Sequence, residues 1–194
     1  MRSKLTKYEY EDIYRMLDEV SPLDIDCGQL CNAACCSCAQ DILEDPEEAM
    51  GIYLLPGEDK LFTKDEEWLG WDTCRAKDYD FPSSWHGKVY FLTCKANCFC
   101  DRKLRPMQCR TFPLQPHIDE DGSLCMIYDT NELPYECPLI TERDKYPLNE
   151  SFIKTTLKAW KYLMREPKIY DLVKLDSEYR VEDEEEIIIV YKEQ

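Results

Sequence analysis

The chain has 194 residues, 44% of them hydrophobic and 12% aromatic, enough to bury a core of its own. Its 40 acidic residues outnumber 24 basic ones, a net charge of -16, so its field repels phosphate backbones and anionic lipid surfaces. Neither nucleic acid nor a membrane is expected as a partner.

Thr6 and Glu9 have capping-box spacing, and Tyr10, Ile13, Tyr14 and Leu17 follow at helical spacing, which predicts a helix over 7–20 that Ser21-Pro22 stops. Next comes CGQLCNAACCSC over 27–38, then an acidic, partly helical stretch over 41–48 that Gly51 ends. Tyr53 to Gly57 reads as a short strand or buried turn, and Thr63 and Glu66 offer a second capping box ahead of Trp68 and Trp71. Val89 to Leu92 is β-prone and runs straight into Cys94, Cys98 and Cys100.

The stretches 111–118 and 123–128 predict a hairpin around Asp121-Gly122, with Pro113 and Pro116 pushing its first arm to a sheet edge. Phe152, Ile153, Thr156, Leu157, Trp160, Leu163 and Met164 mark one face of a helix capped by Asn149 and ended by Pro167. An acidic run from Glu182 to Glu186 then leads into Ile187 to Tyr191, a terminal strand. The expectation is an α+β single domain over 1–194, with helices at its flanks, a few short strands, and cysteine-rich irregular loops organised around a metal site.

Twelve cysteines carry the chemistry. The first twenty residues lack the apolar run of a secretory signal, and no stretch approaches the roughly 20 apolar residues of a membrane helix. A cytoplasmic location is therefore expected, where thiols stay reduced and clustered cysteines suggest metal before disulfides. The candidate ligands are Cys27, Cys31, Cys35, Cys36 and Cys38 in one group and Cys94, Cys98, Cys100 and Cys109 in another. The vicinal Cys35-Cys36 pair argues against simple bridging, because adjacent cysteines make a strained disulfide. Isolated Cys74 and hairpin Cys125 read as small apolar core residues.

Thiolates select zinc, Cu(I) and iron–sulfur centres, and with only two histidines any site must be almost wholly sulfur. Zinc is placed ahead of an iron–sulfur cluster, because a loop-rich domain gains folding energy from a closed four-thiolate site. Cys31, Cys35 and Cys38 also have the C-x3-C-x2-C spacing of radical S-adenosylmethionine enzymes, but Ser37 stands where those enzymes place an aromatic.

Arg105 and Arg110 flank Cys109, and a guanidinium beside thiolates would offset their charge and tune a bound metal; ion pairing with the many acids is the alternative. Phe112, Trp68, Trp71 and Trp85 read as core, and Glu44, Glu47 and Glu48 as a solvated helix face.

Taken together, CGQLCNAACC, YLLPGED at 53–59, CFCDRKLRPMQCRTFPL at 98–114 and Cys-Pro-Leu at 137–139 resemble the YkgJ-like cysteine-cluster family. The hallmark is carried by Arg105, Pro106, Cys109, Arg110, Phe112 and Pro113, and the likeness spans about 25–140. The resemblance implies a zinc- or iron-chelating domain, and it adds Cys137 to the candidate ligands. Some larger relatives resemble flagellin lysine methylases, which makes an enzyme with a pocket beside the cluster the second reading. A module that passes metal, or offers its acidic surface to a basic protein, is the third. The sharpest expectation is that Cys35, Cys36, Cys100 and Cys109 meet at one metal centre or at adjacent ones.

Overall fold

The computed structural model describes residues 1–35, 51–63, 68–94, 104–131 and 135–193, and its first regular element is the one the capping box announces. Helix α1 spans Lys7–Asp18; the Thr6 hydroxyl accepts the Glu9 N–H, and the Glu9 carboxylate accepts the Thr6 N–H at 2.7 Å. Its stripe of Tyr10, Ile13, Tyr14 and Leu17 is buried, as the spacing requires.

Six strands form two antiparallel sheets of three. In the first, β3 (Lys88–Cys94) lies between β1 (Gly51–Tyr53) and β2 (Leu69–Arg75), in a register that sets Leu69 opposite Cys94 and Arg75 opposite Lys88. Trp71 therefore sits in a strand, not in a helix opened by Thr63, and residues 64–67 lie outside the described set. The acidic stretch over 41–48 lies outside it too.

The second sheet is the expected hairpin plus the terminal strand: β4 (Leu114–Ile118), β5 (Leu124–Tyr128) and β6 (Ile189–Lys192), with β5 central. Gly122 turns the hairpin at φ 79°, a conformation that favours glycine. As the prolines require, β4 is an edge strand.

Five more α-helices complete the described residues: α2 (Gly28–Cys31), α3 (Met107–Thr111), α4 (Pro138–Thr141), α5 (Glu150–Leu163) and α6 (Pro167–Glu182). Helix α5 packs on the second sheet with α1 against it, and Tyr10, Leu17, Leu114, Met126, Phe152, Trp160 and Leu163 share this core. Asn149 occupies the N-cap position of α5, but its amide is spent on the Ser21 carbonyl and the Asp24 carboxylate rather than on a cap bond.

Sequence reasoning missed α6. Pro167 opens this helix, where the missing N–H costs nothing, instead of only closing the one before. Helix α6 lies along β4 and satisfies its edge: Ser177 Oγ accepts the Ile118 N–H at 2.9 Å, and Arg180 bonds the Pro116 carbonyl and the Gln115 side chain. The first sheet is tied in through an aromatic cluster of Tyr53, Phe81, Trp85 and Phe91, with the Trp85 indole donating to the Lys168 carbonyl at 2.9 Å. Among the described residues, no helix is long and apolar enough to cross a membrane.

Candidate metal centre

Between the two sheets and α6 lies a cavity of about 590 Å³, within the range of small-molecule sites. One side of it gathers cysteines from distant parts of the chain: Cys27, Cys31, Cys35, Cys109 and Cys137 all line it. Each gets there by local geometry that the sequence encodes in short pieces.

Cys27 is the N-cap residue of α2 and Cys31 its last residue, so the two thiols lie one turn apart on one face. Asp26 accepts the Gly28 N–H at 3.1 Å, and Asn32 and Ala33 follow with positive φ, turning the chain sharply before Cys35. Cys137 precedes Pro138 at the start of α4, and its carbonyl accepts the N–H groups of Ile140 and Thr141. The Cys137 thiol has a raised pKa, first because it is buried and then because Cys31 and Cys27 are close. Tyr135 is raised too, by burial and then by Cys35, Cys137, Asp129 and Cys109. Cys137 therefore lies near Cys31 and Cys27, and Tyr135 near Cys35, Cys137 and Cys109.

Helix α3, which carries Cys109, is only five residues long and too short to hold itself. It is held from outside. Glu58, 1% exposed, follows Gly57 in the YLLPGED segment and accepts the Met107 N–H at 2.6 Å and the Tyr14 hydroxyl at 2.5 Å on Oε1, and the Leu55 N–H at 2.8 Å on Oε2. Burial raises its pKa against the pull of these donors and of Arg110. Gly57 itself has φ 92°, and a Cβ there would lie 2.8 Å from the Ser3 Cβ. The Gln108 amide donates to the Tyr53 carbonyl at 2.7 Å, and the Trp160 indole to Thr111 Oγ1 at 3.4 Å.

The two hallmark arginines take different places. Arg105 lines the cavity beside the thiols. Arg110 is not part of that lining: 1% exposed, it lies 3.8 Å over the Tyr14 ring, pairs with Asp18, and donates Nε–H to the Arg105 carbonyl at 2.6 Å. Arg110 thus pairs in the interior rather than at the surface, bracing the hallmark loop against α1.

Of the remaining expected ligands, Cys94 ends β3, while Cys36, Cys38, Cys98 and Cys100 lie outside the described residues. Cys125 is buried with its thiol 3.4 Å from the His117 carbonyl, and Cys74 is half-buried in β2, matching their core readings. Trp85 is core, but Phe112 and Trp68 line the cavity. Among the described residues, no three histidine, cysteine or acidic side chains are gathered closely enough to hold a metal ion. What converges is a set of segments around a cavity. The lining supplies five thiols and also the carboxylates of Asp129, Asp176, Asp183 and Glu185.

Away from the cysteines, the cavity is floored by Leu172, Val173 and Trp160 and reaches Tyr53, Asp176 and Arg180. Asp176 is pushed up to about 6 by burial, against the pull of Arg180. Neither Asp176 nor Glu58 drew notice in the sequence; Glu58 carried one signal, an acid directly behind a Pro-Gly turn in an apolar run. Comparison with family profiles, characterised proteins and solved structures gave no match to this chain.

Proposed function

We propose that this is a cytoplasmic metal-binding protein that holds zinc, or else an iron–sulfur cluster, through cysteine thiolates on the wall of its central cavity. The observation that carries the reading is that Cys27, Cys31, Cys35, Cys109 and Cys137, spread over more than a hundred residues of sequence, line one cavity. Five thiols exceed the four that a closed tetrahedral site needs, and Arg105 beside them supplies positive charge in a strongly acidic protein. The likeness of its motifs to the YkgJ-like family points the same way. The protein's part in such a site would be to hold thiols together and limit water. The bound metal would supply cross-linking, and for an iron–sulfur cluster electron transfer.

Metal analysis of protein purified without oxygen, with its visible spectrum, tests the reading. A brown chromophore identifies an iron–sulfur cluster, a colourless zinc-loaded protein identifies zinc, and protein free of both defeats the proposal.

A second reading, an enzyme whose substrate enters beside the cysteines, is favoured by the cavity itself. Its volume, apolar floor and Asp176, Tyr53 and Arg180 are the composition of a substrate site. On this reading Asp176→Asn abolishes turnover while leaving metal content intact.

A further inference from the structure

Helix α3 presents Cys109 to the cavity, yet four of its five residues are anchored elsewhere: Met107 to Glu58, Gln108 to the Tyr53 carbonyl, Arg110 to Asp18 and Tyr14, and Thr111 to Trp160. Among these anchors Glu58 acts on the backbone, at the helix's first N–H, and it does so from full burial with both carboxylate oxygens engaged. Its other partners belong to α1 and to the turn after β1, so one carboxylate locks together three segments that do not adjoin in sequence. A carboxyl group at that depth is costly and persists only where its bonds hold geometry in place.

We infer that Glu58 is a positioning residue for Cys109: it sets where this thiol stands relative to Cys27, Cys31, Cys35 and Cys137 without itself touching what they bind. The inference rests on the metal-binding reading above. Glu58→Gln keeps the shape but turns one acceptor into an NH2 that must face the N–H of Leu55 or of Met107, so the lock between the turn and α3 is weakened on one side. Tyr14→Phe removes one of the three donors and leaves the carboxylate, a milder perturbation of the same device.

The test is titration of the reduced, metal-free full chain with Co²⁺ and then Zn²⁺. Thiolate-to-cobalt absorption reports how many sulfurs bind, and melting curves run alongside. Glu58→Gln should weaken binding about 10- to 100-fold and lower the thiolate absorption, with Tyr14→Phe in the same direction and smaller. In a Cys109→Ser background, Glu58→Gln should add nothing further, because its effect runs through that sulfur. Unchanged affinity and spectrum in folded Glu58→Gln and Tyr14→Phe, or effects that multiply with Cys109→Ser, would overturn the inference. If the wild-type protein binds neither cation, the metal-binding reading fails. The Cys109 alkylation rate, followed by mass spectrometry, then decides: a rate that differs between wild type and Glu58→Gln supports positioning, and equal rates overturn it.

Discussion

The second sheet with its three long helices and the cysteine-bearing wall are built on different principles. In the former, α1 and α5 bury continuous apolar stripes against β4, β5 and one another, so each residue is one of many that hold the core. The wall is made of pieces of four and five residues, α2, α3 and α4, and α3 is fixed by single hydrogen bonds to Glu58, the Tyr53 carbonyl and Trp160. Burial is non-directional and survives single losses in proportion to area; point anchors are directional and fail one at a time. Damage to the sheet-and-helix core should therefore unfold the protein with or without metal, whereas damage to the wall should be felt first at the thiols.

The largest effect is expected from Phe152→Ala, which empties a fully buried site in α5. It should cost about 3–5 kcal/mol in urea unfolding, and added zinc should not restore it. Arg110→Ala comes next, at about 2–3 kcal/mol, because it leaves Asp18 and the Arg105 carbonyl without their buried partner. This loss should be accompanied by weaker metal binding, which distinguishes a wall anchor from a core residue.

Asp176 sharpens the contrast through pH. Its folded pKa of about 6 lies above the usual carboxylate value, so the native state holds a proton that the unfolded chain gives up. Its contribution is most favourable below about pH 4 and is lost as pH rises through 6. Asp176→Asn should flatten that slope and stabilise the protein by about 2 kcal/mol at pH 7, read from unfolding at a series of pH values. The smallest effect belongs to Cys125→Ser: about 1–2 kcal/mol from a polar atom in a dry core, with metal content unchanged.

The sequence was legible where periodicity governs. The Thr6 capping box, the stripes of α1 and α5, the Asp121-Gly122 hairpin and the terminal strand all stand where the spacing puts them. Helix α6 was hidden because its buried side includes Ser177 and Arg180, chosen to satisfy the edge of β4, and because Pro167 reads equally as a stop and a start. In the wall, residue types were legible and roles were not. Cys109 and Arg110 are adjacent in sequence, yet one faces the cavity and the other braces α1. The helix that carries both is held at its first N–H by Glu58, some fifty residues earlier, and no local pattern records that contact.

Whether distant cysteines serve one metal site is tested by Cys109→Ser. Metal content and melting temperature of protein purified without oxygen should fall together, because the lost sulfur is both a ligand and a cross-link between segments. If both stay at wild-type values, Cys109 holds no metal and the loop that carries it is structural.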